Sequence, residues 1–143
     1  MCIRDREKMD AEVLEMNFKE QTLKMSFNPD EFFCHSDGTI LQGGFITTML
    51  DASMAFLVMQ LVDFKKVPLS IDVNVNFLSS GGPKLTIAVA RINKIGKSIA
   101  FSSADLFQDD ELIATASSSI KLKDFESRNW IDDTIGKNVK IIR

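Results

Sequence analysis

From Pro68 onward the chain alternates, with Ile71, Val73, Val75 and Phe77 on one side and Ser70, Asp72, Asn74 and Asn76 on the other. A period of two predicts a strand with one covered and one wetted face. Ser79-Ser80-Gly81-Gly82-Pro83 breaks it, and a second strand runs from Leu85 through Ile87 and Val89 to Ile92. A turn around Gly96 leads to a third, through Ile99, Phe101, Ser103, Asp105 and Phe107. Gln108-Asp109-Asp110 turns the chain again, into a fourth strand from Glu111 to about Lys123. Nearer the N-terminus, Leu14, Met16 and Phe18 and then Leu23, Met25 and Phe27 alternate on either side of Lys19 to Gln21. That predicts a hairpin, closed by Asn28-Pro29-Asp30.

Between hairpin and strands the pattern changes twice. Glu31 to Gln42, which includes Ser36-Asp37-Gly38, has no period and reads as irregular. Gly44 to about Val62 is apolar with a few small polar residues, which predicts one long buried helix. No second helix stands between the later strands to make parallel crossovers, so the predicted class is α+β. Its form is an antiparallel β-sheet wrapped around one long central α-helix. The predicted domain spans residues 9–124, and the tail 125–143, with Trp130, Ile131 and Ile135, reads as a short docked segment or a frayed end. Residues 1–8, MCIRDREK, resemble translated sequencing-adapter read-through and are set apart as a non-native extension, Cys2 with them.

A length of 143 residues with 45% hydrophobic and 26% charged content fits one globular domain with a real core. The net charge of −3 argues against sequence-independent nucleic-acid binding. Cys2, Cys34 and the single histidine, His35, give neither a disulfide framework nor metal-ligand spacing, so the expected setting is a reducing cytoplasm with no metal. Phe45 to Val62 is apolar enough to raise a membrane span, but Thr47, Thr48, Asp51, Ser53 and Gln60 interrupt it. A helix buried in a soluble domain, with no membrane partner, is the better reading.

Asp51 is the only charged residue between Gly38 and Val62. A carboxylate among apolar neighbours needs a partner, a hydrogen bond or a proton, so its place asks for a structural or chemical use. Gly43 and Gly44 open the same helix.

QGGFITTMLDASM, LSIDVNVNFLSSGGPKL and INKIGKSIAFSSADLF together resemble the hotdog-fold thioesterases, in particular the phenylacetate-pathway type of acyl-CoA thioesterase. The resemblance covers roughly Leu14 to Lys123 and rests on the glycine pair, the helix acid, the Ser-x-Asp-x-Asn strand and the Gly-Lys hairpin. It implies hydrolysis of an acyl-CoA thioester at a site shared between subunits of a homodimer or homotetramer. Coenzyme A is then part of the substrate, and no cofactor is implied.

Thioester hydrolysis places negative charge on the carbonyl oxygen, and preorganised N–H donors lower that barrier. A helix N-terminus offers free amides, and glycine permits close approach. The Gly43 N–H is therefore the expected oxyanion donor, as the resemblance also implies. Asp51, eight residues on and about 12 Å along the axis, is by resemblance either general base or nucleophile, acting on a carbonyl held by the other subunit. Ser70 falls where some relatives place a serine that orients the water or carboxylate. Gln42 replaces the family's usual histidine, so it can hydrogen-bond but cannot titrate. The family's upstream asparagine has its counterpart in His35, Ser36 or Asp37, with His35 and Ser36 favoured. Lys97 is the expected phosphate contact, and Gly44, Asn76, Phe77 and Gly81 complete the expected substrate contacts.

Each feature also has a plainer use. Asp51 as a structural acid, the glycines as a tight helix entry, His35 as a solvent-facing loop residue and Ser70 and Asn76 as wet strand positions all fit the sequence. Lys84, Arg91, Lys94 and Lys97 fit as ordinary solvated charges, and Met49, Met54 and Met59 as core. Two other functions share this fold: a non-catalytic acyl-CoA or acyl-carrier binding module, and a hydratase or dehydratase, which the lone histidine disfavours.

Overall fold

The computed structural model describes residues 7–124 and 139–143. Its strands are β1 (Glu12–Asn17), β2 (Thr22–Phe27), β3 (Cys34–His35), β4 (Ile40–Leu41), β5 (Lys66–Phe77), β6 (Thr86–Ile95), β7 (Ile99–Gln108), β8 (Glu111–Asp124) and β9 (Lys140–Ile142), with one long helix, α1 (Gly43–Leu61). A seven-stranded sheet runs β5-β8-β7-β6-β2-β1-β9, and β3 pairs separately with β4. The hairpin and the four later strands form as the alternation predicts, all antiparallel. β9, from the end of the tail, adds one parallel pair at the edge beside β1. Cys2, Trp130, Ile131 and Ile135 lie outside the described residues.

Helix α1 lies along one face of this sheet. Ile46, Met49, Leu50, Met54, Phe56, Leu57 and Val58 are buried in a core shared with Ala88, Ala90, Ala100, Ala104, Ala114 and Ala116 of the central strands. Alanine on the covered strand positions leaves room for the helix to lie close to the sheet, where dense packing favours it. The helix is not buried all round, however. Gly44 and Thr48 are exposed, and Gly43, Thr47, Asp51 and Ala55 are half-buried. At helical spacing these residues form one partly open stripe, so Asp51 is half-buried where its sequence neighbours suggested full burial.

Both helix ends are specified locally. Gln42 is the N-cap: its Oε1 accepts from the N–H groups of Gly44, at 2.7 Å, and Phe45, at 3.2 Å. Phe45 also meets Phe33 edge-to-face at 4.8 Å between ring centres, and the Gln42 N–H donates to the Phe33 carbonyl. At the other end Asp63 and Phe64 take left-handed φ values of 52° and 54°, and the Phe64 N–H closes on the Met59 carbonyl.

Strand β5 is an edge, which is why Pro68 is tolerated within it. Its ladder to β8 shifts register between Ser70 and Asp72. Ser70 pairs with buried Ile120, and beyond the shift Val73 and Val75 pair with buried Ser118 and Ala116. The inserted residue thus moves Ser70 to the helix side, with Val73, Val75 and Phe77, instead of the outer side with Asn74 and Asn76. The bulge also leaves the Ser119 N–H to the Asp72 carboxylate, at 3.2 Å.

A second expectation is overturned at Gln108. It belongs to β7, not to the turn, and it is 3% exposed.

Candidate active site

A cavity of about 350 Å³ opens at the N-terminus of α1, lined by Ile40, Leu41, Gly43, Ile46, Phe77, Leu78, Ser79, Ser80 and Gly81. Three segments build it: β4 with the helix start, the end of β5, and the glycine loop after β5. The Phe77 ring covers Gly43 so closely that a Cβ there would stand 3.2 Å from its Cζ. The Gly43 N–H, first of the helix amides, has no acceptor among the described residues. Because the Gln42 Oε1 is held by Gly44 and Phe45, the orientation of its amide is set, with its Nε2 3.5 Å from where a Cβ of Gly44 would stand. The Gly43 N–H therefore stands at the positive end of the helix dipole, in the wall of an apolar cavity.

Asp51 is placed elsewhere. The Ser70 hydroxyl donates to its Oδ1 at 2.6 Å, a short charge-assisted bond that fixes the carboxylate on the partly open stripe. The bulge in β5 makes that contact. Asp51 does not line the cavity, and two helical turns, about 12 Å, separate it from Gly43. Within one chain the Gly43 N–H and the Asp51 carboxylate thus stand about 12 Å apart along the helix.

The other expected residues divide. Phe77 and Gly81 line the cavity, while Gly44 does not, and its N–H is already taken by the Gln42 Oε1. His35, Ser36 and Asp37 do not line it: the His35 Nδ1 and Ser36 Oγ are 2.9 Å apart, and Ser36, Asp37 and Gly38 form a left-handed turn. Asn76 lies on the exposed outer side of β5. Lys97 sits near the Lys66 end of that strand, where the Lys66 Nζ donates to its carbonyl. From there to Phe77 is roughly 35 Å of extended chain. Cys34 is a free thiol, its pKa pushed up by burial and then by Asp30 and Glu31, which keeps it protonated and a poor nucleophile.

Ile40, Leu41, Ile46, Leu78, Ser79 and Ser80 of the cavity wall were not foreseen. Only the glycine pair and the apolar run marked their neighbourhood, and neither shows which segments converge.

The sequence pattern of the Thioesterase superfamily matches residues 38–115, from the turn before β4 to the middle of β8. Among curated proteins, none matches significantly. Several solved structures share the fold. A thioesterase-like, phenylacetic acid degradation-related protein from Ralstonia eutropha aligns with a TM-score of 0.79 at 21% identity, over 85% of this chain and 91% of its own. A thioesterase from Haemophilus influenzae aligns at 0.76 and 14% identity, over 87% and 86%. The PaaI protein from the phenylacetic acid degradation operon of E. coli aligns at 0.73 and 12% identity, over 83% of each chain. One long helix on a large, mainly antiparallel sheet is the hotdog fold of these proteins. With the family pattern matched over more than half its length, the chain belongs to the thioesterase superfamily.

Proposed function

We propose that the protein hydrolyses acyl-CoA thioesters to free acid and coenzyme A, at a site completed by a second subunit. One observation carries the reading: the free Gly43 N–H lines an apolar cavity, while the Ser70-oriented Asp51 carboxylate lies two turns away on an open helix stripe. The cavity takes the acyl group, and the Gly43 N–H with the Gln42 Nε2 stabilises the oxyanion. Asp51 of the neighbouring subunit approaches the carbonyl from the other side. As a base it takes a proton from water as the oxygen attacks the carbonyl carbon. As a nucleophile it attacks directly, giving an anhydride that water then opens. Either way the C–S bond breaks, and the thiolate leaves with little need of a proton because a thiol pKa is about 8.5.

The association is supported by β5, an edge of twelve residues with Leu69 45% and Ile71 59% exposed. An edge of this length and character invites pairing. A dimer, or two dimers joined as a tetramer, would bring another subunit's surface to the cavity, and Lys97 is the proposed contact to the nucleotide phosphates from outside its own chain's site. A cytoplasmic setting remains part of the proposal.

Release of free thiol from a panel of short, aromatic and long acyl-CoA thioesters tests it, and no release from any of them sinks it. Mixing inactive Asp51→Asn subunits with inactive Gly43→Val subunits tests the shared site: mixed dimers should regain part of the activity. A pure binding module on this fold would retain ligand and show no turnover to lose.

A further inference from the structure

Gln108 directs its whole side-chain amide at one loop. Its Oε1 accepts from the Gly82 N–H at 2.9 Å, and its Nε2 donates to the Gly82 carbonyl at 2.9 Å and to the Thr86 Oγ1 at 2.7 Å, with a longer contact to the Lys84 carbonyl at 3.4 Å. The Thr86 hydroxyl in turn donates to the Lys84 carbonyl. Both polar groups of one residue, Gly82, are thus held by one neutral side chain that is itself buried. Only an amide offers donor and acceptor in that arrangement.

The loop so held reaches the cavity. Gly81 is in its wall, and a Cβ at Gly81 would stand 3.0 Å from both the Gln108 Oε1 and the Ile113 Cδ1, so the backbone is pressed against these two side chains. The Gly81 carbonyl then accepts from the Leu41 N–H at 2.8 Å. Leu41 leads directly into Gln42, the helix cap, and Gly43, the oxyanion donor. A continuous path of hydrogen bonds and backbone joins Gln108 to the reacting end of the helix.

We propose that Gln108 is a positioning residue for the thioester site. By fixing Gly81 and Gly82 it sets the cavity wall and, through Leu41, the seat of Gln42 and the Gly43 N–H. The inference rests on the hydrolase reading above. A displacement of about 1 Å near reacting atoms lowers rates by up to about a hundred-fold, so loss of these bonds should be visible in catalysis.

The test compares Gln108→Met, which keeps the bulk, with Gln108→Glu, which keeps an acceptor for the Gly82 N–H. The kcat and KM for acetyl-, hexanoyl- and phenylacetyl-CoA are measured, with backbone hydrogen exchange of the unliganded protein. Gln108→Met should lose about ten-fold or more in kcat/KM, and the ratios among the three substrates should shift several-fold because the wall itself moves. Exchange should quicken at Leu41 and Gly82 while Met25 and Leu106 stay as in the wild type. Gln108→Glu should fall between. Equal loss on all three substrates, exchange quickened throughout the core, or unchanged kinetics would each overturn the inference in favour of a plain stabilising role. Should the wild type hydrolyse none of the thioesters, the hydrolase reading fails separately, and unchanged Leu41 exchange in Gln108→Met would still overturn the positioning role.

Discussion

The two sides of helix α1 do different work. Toward the sheet, Met49, Leu50, Met54 and Leu57 are completely buried, and every one of them contributes by removing apolar surface from water. On the other side, Gly43 and Asp51 meet the edge strand β5, and with Gly44, Thr47, Thr48 and Ala55 they are small or polar and partly open; the Thr47 and Thr48 hydroxyls turn back to bond the carbonyls of Gly43 and Gly44. The packed side holds the element still, and the open side carries the groups with chemical potential. Changes on the two sides should therefore separate stability from activity.

The largest expected effect is on the open side. Asp51→Asn should lower kcat by about a thousand-fold in steady-state thiol-release assays, with an unfolding midpoint in urea near that of the wild type. A turnover within a few-fold of normal would remove Asp51 from the chemistry. Next, Met54→Ala on the packed side should lose about 3 kcal/mol of stability by chemical denaturation, while kcat per folded molecule stays unchanged. A parallel loss of kcat would show that the two sides are not separable. Ser70→Ala should lower kcat about ten-fold, or roughly 1.4 kcal/mol, because the Asp51 carboxylate loses the hydroxyl that orients it. A smaller loss of stability than at Met54 is expected at the junction of the two sides. Gln42→Ala removes the cap from the N–H groups of Gly44 and Phe45 and should cost about 1 kcal/mol in thermal unfolding, together with a fall in kcat from the lost Nε2 donor.

Much of this was legible in the residues. The alternation from Ile71 to Phe107 marks its strands, although Ile71, Leu85, Ile99 and Phe101 are exposed and Ala88, Ala90, Ala100 and Ala104 take the covered positions, and the apolar run from Phe45 to Val62 marks the helix because nothing else matches its length. Its open stripe was hidden, since Gly, Thr and Ala on that side contrast too weakly with Met and Leu on the other to show a face. Ser70 was assigned to the wrong side of β5 because a bulge leaves no mark in an alternating pattern until its partner strand is known. Gln108 was read with Asp109 and Asp110 as a turn, and only the convergence of Gly82 and Thr86 on its amide explains a polar residue inside. Three residues of β9 escaped notice because a strand so short carries no period.

The bulge at Ser70 also makes the site sensitive to the count of residues as well as to their kind. Deleting Ile71 would remove the bulge and leave Ser70 opposite Ile120 on the helix side, whereas a regular ladder that kept Ile71 would put Ile71 opposite Ile120 and turn Ser70 toward solvent. The Ser70–Asp51 contact therefore depends on the register of β5 against β8, and two homologues with the same serine and the same acid would differ in that contact if one kept every residue of this strand without the bulge.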